Sequence, residues 1–286
     1  MKAILLAGGI GSRIWPLSQA VNKHLLPVFD KPMIYYPLTT LMLAGARDVV
    51  LISSKTHLFS FKTLLGDGSQ WGLRIRYSVQ EKPDGIPAAF SLVPADFLNE
   101  PVILMLGDNL LYGAGLGESL QERQNLDGAL AFGYWVSNPS DYGVIDFNEL
   151  GRPIKIREKP KDSKSNYAIP GLYFFDKSVY SKVGHLKPSL RGELEITDLL
   201  SAYMLESKLH IEILQRGTAW LDTGNARNLL SAGEFVRVIE ERQGLKIGSP
   251  EEVALRLGMV DKEKFLANLH EMPSGEYRNY LEKLVF

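Results

Sequence analysis

Met1-Lys-Ala-Ile-Leu-Leu-Ala-Gly-Gly-Ile-Gly-Ser-Arg-Ile-Trp-Pro-Leu17 opens the chain and decides how the rest is read. Lys2 to Leu6 is short and mostly apolar, which predicts a strand. It runs straight into a turn that carries Gly8, Gly9 and Gly11 and closes on Ser12 and Arg13. Glycines at a strand end let the backbone approach a bound group closely and aim its N–H donors at an anion. Arg13 adds a permanent, fork-shaped charge suited to phosphate oxygens. Lys23, in Asn22-Lys-His-Leu-Leu-Pro27, follows as a second cation. A Gly-x-Gly by itself also describes a plain strand-to-loop turn; the two cations are what point to phosphate.

Two familiar phosphate loops do not fit. The dinucleotide fingerprint wants a third glycine where Ile14 stands. The triphosphatase P-loop wants Gly-Lys followed by Ser or Thr, and no such run occurs.

Bulk composition narrows the field. With 286 residues the chain is long enough for a large core, and 45% apolar with 23% charged residues is ordinary for a globular protein. A net charge of −1 provides no field for nucleic acid or an anionic membrane, so neither is expected as a partner. The absence of cysteine removes disulfides, thiolate nucleophiles and cysteine metal sites. The five histidines are scattered without ligand spacing, which argues against zinc. No stretch has the length of a membrane span or a signal peptide, so a cytoplasmic protein is expected.

Apolar β-rich runs alternate with helical patterns in the first half. Strands are expected at 3–6, 48–53, 74–78 and 102–106, and helices around 37–44, 57–65 and 86–94. That alternation predicts crossover connections and a mainly parallel sheet covered on both faces. From Ala129 the strands crowd together at 129–136, 143–147, 153–158 and 167–175, so part of the sheet should be mixed. Helices return at 195–206 and 226–243. The tail from Pro250 carries Val253, Leu257, Phe265 and Leu269 at helical spacing. One α/β domain with a helical C-terminal segment is expected.

Chemistry concentrates at strand ends. Leu104-Met-Leu-Gly-Asp-Asn109 is an apolar strand ending on Asp108, and Ala219-Trp-Leu-Asp-Thr-Gly224 offers Asp222 after a similar run. Ligands of open α/β sheets sit beyond the carboxyl ends of strands, and two such acids with bound phosphates suit Mg2+. Asp108 could equally cap a following helix. In Arg157-Glu-Lys-Pro160, Lys159 suits a substrate phosphate and Glu158 sugar hydroxyls; the alternative is a solvated charge run. Asp141-Tyr-Gly-Val144 and Pro170-Gly-Leu-Tyr173 offer lining for a polar pocket. Gln80, before Pro83-Asp-Gly85, could pair with a base edge or simply precede a turn. A phosphate monoester is largely dianionic at neutral pH and needs no general base to attack another phosphate. Cations at the site would screen the repulsion, so phosphoryl or nucleotidyl transfer by positioning follows.

The ordered motifs resemble those of the sugar-1-phosphate nucleotidyltransferases, and within them the thymidylyltransferase branch. They are Leu6-Ala-Gly-Gly-x-Gly-Ser-Arg13, Lys23 with Leu25-Leu-Pro27, Asp30-Lys-Pro-Met-Ile-Tyr-Tyr-Pro37, Gly66-Asp-Gly-Ser-Gln-Trp-Gly72, Leu106-Gly-Asp-Asn109, Glu158-Lys-Pro160, Arg191-Gly-Glu-Leu-Glu-Ile-Thr-Asp198 and Trp220-Leu-Asp-Thr-Gly224. The resemblance runs end to end. It implies a Rossmann-like three-layer α/β fold with a mixed, mainly parallel sheet, residues 1–225 forming the core and 226–286 a helical segment packed on it. It implies dTTP and a hexose-1-phosphate, most simply glucose-1-phosphate, as substrates, with Mg2+ as cofactor and a homotetramer as the assembly.

By motif, Gly8, Gly9, Gly11, Ser12, Arg13, Lys23, Gln80, Asp84, Gly85 and Asp108 would serve the nucleotide. Tyr142, Gly143, Glu158, Lys159 and Gly171 would serve the sugar phosphate. Asp108 and Asp222 would hold the metal, with Arg13, Lys159 and Asp108 catalytic. Lys246, Glu252, Arg256 and Arg216 match the region of an end-product site. Four departures stand out: His24 for a glutamine, Pro87-Ala88 for Ala-Gln, Pro170 for a threonine, and Asn225-Ala-Arg227 for Thr-His-Asp. The first three fall near the substrates, so an intact mechanism with an altered base or sugar preference is expected. Tyr112-Gly-Ala-Gly-Leu-Gly117 lacks the family's aromatic and histidine residues, which argues against feedback by a dTDP-sugar.

Overall fold

The computed structural model describes residues 1–9, 11–123 and 126–285; Ile10 of the opening loop lies outside them. In chain order the strands are β1 (Lys2–Leu6), β2 (Pro27–Val28), β3 (Lys31–Pro32), β4 (Asp48–Ser53), β5 (Arg74–Val79), β6 (Val102–Leu106) and β7 (Asn109–Tyr112), followed by β8 (Ala129–Trp135), β9 (Gly143–Phe147), β10 (Pro153–Glu158), β11 (Tyr167–Ala168), β12 (Leu172–Phe175), β13 (Leu209–Ile213) and β14 (Ala219–Asp222). The helices are α1 (Tyr35–Leu43), α2 (Lys55–Leu65), α3 (Leu116–Gln121), α4 (Val179–Val183), α5 (Ile196–Leu205), α6 (Ala226–Gln243), α7 (Pro250–Arg256), α8 (Lys262–Glu271) and α9 (Glu276–Glu282).

Ten strands form one mixed sheet in the order β10-β9-β11-β8-β12-β6-β1-β4-β5, with β13 paired to β8. The β5-β4-β1-β6 part is parallel. β4 is buried at all six positions, as a strand covered on both faces must be. Neighbouring residues of β1 serve opposite faces: Ala3 and Leu5 pack into one core, Ile4 into the other. The first core takes in α1, α2 and Phe265, Leu269 and Leu281 of the C-terminal helices. The second is closed by Val179, Leu199, Leu200 and Tyr203 of α4 and α5. Helix, sheet and helix make three layers.

Departures from expectation have local causes. The helix expected at 86–94 is a run of 3-10 turns, Pro87–Leu92, because Pro87 and Pro94 bound a segment too short for an α-helix. The strand expected at 167–175 is broken into β11 and β12 by Pro170, which has no N–H for the ladder. The residue after Asp108 begins strand β7, so Asp108 caps no helix. β7, β13 and the short helices α3 and α4 went unread in the sequence.

Candidate active site

The carboxyl ends of β1, β4, β5 and β6 meet at the opening loop. Ala7 N–H donates to the Ile52 carbonyl at 2.8 Å, Gly107 N–H to the Leu6 carbonyl at 2.9 Å, and Gln80 N–H to the Ser53 carbonyl at 2.8 Å. Gly8 lets the Gln80 side chain lie across the loop, since a Cβ there would stand 2.2 Å from Gln80 Oε1. Gly85 has φ +100° and a Cβ there would meet the Leu194 carbonyl oxygen at 2.0 Å. That close approach, with Leu194 N–H donating to the Asp84 carbonyl at 2.8 Å, draws the 187–195 loop to the site. A first cleft results, lined by Leu6, Gly8, Gly9, Lys23, His24, Gln80, Pro83, Gly85, Ile86, Leu106, Asp108 and Glu193.

A second cleft adjoins it and shares Ile86, Leu106 and Asp108. Its other walls include Arg13, Tyr142, Gly143, Glu158, Lys159, Gly171, Thr197, Trp220 and Asp222. On a continuing strand Glu158 and Lys159 would face opposite ways. They share the cleft because β10 ends at Glu158 and Lys159 turns left-handed, φ 41°, with its N–H bonded to the Tyr142 carbonyl at 3.0 Å. A non-glycine residue held there costs conformational energy. Burial pushes the Glu158 carboxyl up, against the opposing pull of Lys159.

Asp108 and Asp222 come together through the β7–β14 ribbon, whose register sets Asp222 opposite Asn109. Burial works to raise the Asp108 carboxyl, yet Lys23, in direct ion pair with it, holds it well below the ordinary range. Asp222 goes the other way. Burial, then the charge of Asp108, pushes it up to about 6, although Gly224 N–H donates to it at 3.0 Å. Two carboxylates near enough for the charge of one to raise the other offer an all-oxygen donor set that fits a divalent cation. Among the described residues no group of three or more ligating side chains gathers. That suits Mg2+, which takes one or two carboxylates and completes its shell with phosphate and water. A Cβ on Gly224 would sit 2.9 Å from Asp222 Oδ1 and 3.1 Å from Arg13 Nη2, so glycine there also makes room for the guanidinium.

Of the residues expected for the nucleotide, Gly11, Ser12 and Asp84 are not among the lining residues. Gly11 shapes the loop instead, its carbonyl accepting from Ser18 Oγ at 2.8 Å. Among the described departures, His24 reaches a cleft, whereas Pro87, Ala88 and Pro170 are not among the lining residues. His24 Nδ1 meets Asn22 Oδ1 at 2.7 Å, and Asn22 Nδ2 donates to the Ala7 carbonyl. The orientation of Asn22 therefore puts the proton on Nδ1 and leaves Nε2 an acceptor. Burial, aided by Lys23, pushes the imidazole down to about 3, so it is neutral.

Sequence reasoning missed Glu193, Thr197, Trp220 and the structural part of Asn109. It also missed Arg191, whose Nη2 stands 3.4 Å from Glu158 Oε1 and 2.6 Å from Glu195 Oε2. The run Arg191–Asp198 was the available signal, but nothing local says that it folds over Gly85. Three of the four residues matched to an end-product site are ion-paired within the chain. Lys246 pairs with Asp30 and Glu240, and Arg256 with Glu252 at 2.7 Å. Arg216 lines an open groove with Trp135 and Tyr167.

The model of the nucleotidyl transferase family matches residues 2–238. The chain is 48% identical over 285 residues to the glucose-1-phosphate thymidylyltransferase of Mycobacterium tuberculosis, covering 100% of this chain and 99% of the relative. It is 47% identical to the enzyme of that name from Xanthomonas campestris, with 99% and 96% covered. A solved Bacillus anthracis structure described as a glucose-1-phosphate thymidylyltransferase superposes with a TM-score of 0.76 at 36% identity, over 83% of this chain and 95% of that one. A UDP-glucose pyrophosphorylase structure, TM-score 0.72 at 22% identity over 83% and 98%, shares the fold.

Proposed function

The chain belongs to the nucleotidyl transferase family, and on that premise we propose that it joins dTTP and glucose-1-phosphate into dTDP-glucose, releasing pyrophosphate, with Mg2+ as cofactor. One observation carries the reading: two clefts meet at Asp108, with Lys23 on the first and Lys159 on the second. Two anionic substrates can thereby be held end to end around one acid pair.

The first cleft takes the triphosphate on the Gly8–Gly9 turn and Lys23, with Gln80 and Gly85 reading the base. Arg13 meets the α-phosphate from the second cleft. There Lys159 holds the sugar phosphate, and Tyr142, Gly143, Glu158 and Gly171 contact the sugar. A sugar-phosphate oxygen forms the new bond to the α-phosphorus. The bond from that phosphorus to the bridging oxygen breaks, and its electron pair leaves with pyrophosphate. The attacking phosphate, with a second pKa of about 6, is already largely dianionic, so no side chain has to remove a proton. Arg13 and Lys159 align the groups and offset the charge that develops. Asp108 and Asp222 would hold Mg2+, which supplies a Lewis acid for the phosphate oxygens.

All lining residues of both clefts fall between Leu6 and Asp222, which supports a core of residues 1–225 with 226–286 packed against it. A homotetrameric, cytoplasmic enzyme belongs to the same proposal; no described helix is long and apolar enough to cross a membrane. A second reading keeps the chemistry and changes the base, and it rests on His24 in the first cleft. Pyrophosphate release with Mg2+, scanned over dTTP, UTP, CTP, ATP and GTP against several hexose-1-phosphates, tests both. Fast release with dTTP and glucose-1-phosphate upholds the first reading, and another preferred nucleotide upholds the second. Silence throughout would leave a nucleotide-sugar-binding homologue.

A further inference from the structure

Asn109 opens β7 immediately after Asp108 and is buried. Its Oδ1 accepts two hydrogen bonds, from Trp220 Nε1 at 2.7 Å and from Gly171 N–H at 2.9 Å. An indole N–H and a backbone N–H can only donate, so the atom facing them has to be the amide oxygen. The amide cannot flip, and Nδ2 is left facing Asp108 Oδ1 at 2.9 Å. Asp108 then offers its other oxygen, Oδ2, toward Lys23. Behind it, Thr223 donates to the Asp108 carbonyl from both N–H, at 2.9 Å, and Oγ1, at 2.7 Å.

Each segment tied to Asn109 carries part of the site. Trp220 lies two residues before Asp222 on β14, and Gly171 lines the second cleft. Resting on the acid-pair reading above, we infer that Asn109 is a positioning residue that aims the Asp108 carboxylate toward the cation position and links it to the sugar-facing wall at Gly171. Leaving Asp108 Oδ1 without its donor would let the carboxylate rotate about its terminal torsion, which is soft. Partners that orient metal-ligating groups in this way typically change affinity or activity by about 10–100-fold when removed.

Asn109→Asp is the direct test: it keeps an acceptor for Trp220 and Gly171, removes the N–H that faces Asp108 and sets a second carboxyl oxygen against that acid in its place. The expected result is a rise of about tenfold in half-saturating Mg2+ and a fall of 10–100-fold in kcat, with a smaller change in KM for glucose-1-phosphate. The rise in Tm on adding Mg2+ with dTTP should shrink in parallel, a readout that requires no turnover. Trp220→Phe, which loosens the amide by removing one of its two donors, should move the same quantities in the same direction by less. A lower Tm with unchanged kcat and unchanged Mg2+ dependence in Asn109→Asp would reduce the residue to a structural one and overturn the inference. Should the wild-type protein release no pyrophosphate, the proposed reaction falls, and the Mg2+–dTTP thermal shift still decides whether Asn109 orients the acid.

Discussion

Two clusters in this molecule contain the same charges and treat them differently. Where the β2–β3 hairpin meets α6, Lys31 and Lys246 each pair with both Asp30 and Glu240, closing a ring in which every charge has two partners. Glu240 also accepts from Ile247 N–H at 2.8 Å. In the cleft, Lys23 pairs with Asp108, while Arg13 and Asp222 have no ion-pair partner within 4 Å among the described residues. The acids register the difference. Burial alone would raise Asp30, but Lys246 and Lys31 hold it below its ordinary value, whereas Asp222 is raised. In the ring each charge is matched within the protein. On the proposed function, the cleft's Arg13 and Asp222 are the charges that phosphates and a cation would meet.

Substitutions should separate the two clusters sharply. Asp108→Asn should lower pyrophosphate release by about 10³-fold, because it removes a charge at the reacting phosphates, while Tm shifts by a few degrees at most, because the lost pairing with Lys23 is offset by relief of the repulsion that raises Asp222. Glu240→Gln should do the reverse. Lys31, at 2% side-chain exposure, would be left to share Asp30 with Lys246, so the loss should approach but not exceed the ~3–5 kcal/mol typical of a buried charge left unpaired. Chemical denaturation should show that loss, with kcat of the folded fraction retained. If Glu240→Gln instead abolished turnover in the folded protein, the ring would belong to the site and the contrast would fail.

Acidity offers a finer probe of the same contrast. Asp222 titrates higher in the folded protein than its ordinary value of 3.8, so the native state binds that proton more tightly than the unfolded chain. The resulting stabilisation is complete below the unfolded value and is lost as pH rises through about 6. Mg2+ competes with the proton, so its effect on Tm should be small near pH 5, grow to about pH 7 and vanish with chelator. A Mg2+ effect independent of pH over that range would remove Asp222 from the cation site. The smallest effect is expected at His24. His24→Gln should change the preference among nucleotides by less than about tenfold and leave KM for the sugar phosphate unmoved, as the loss or gain of one hydrogen bond allows. Steady-state kinetics with dTTP and UTP would show it.

Much of the site could be read along the chain, because its residues stand at strand ends and carry unusual types for those places. Gly8, Gly9, Lys23, Asp108 and Asp222 all line the clefts. Lys246 could not be read so. Its partners Asp30 and Glu240 lie on separate elements, and nothing in their spacing along the chain announces the ring they close with it. Arg191 and Asn109 were passed over for a related reason. Their work is done on Glu158 and Asp108 through geometry that no local pattern encodes.

What the sequence determined by itself was local: the strand before the glycine turn, the buried parallel strands, the helical tail, and the motifs that mark the family. Those features depend on neighbours a few residues apart, through periodicity, turn chemistry and the missing N–H of proline. The tertiary structure decided the rest. Only the β7–β14 register sets Asp222 beside Asp108, 114 positions away, and only the Gly85–Leu194 contact brings the 187–195 loop to the cleft. Such pairings emerge when long loops close and two cores pack at once, so the spacing of the acids belongs to the fold and not to either segment that carries them.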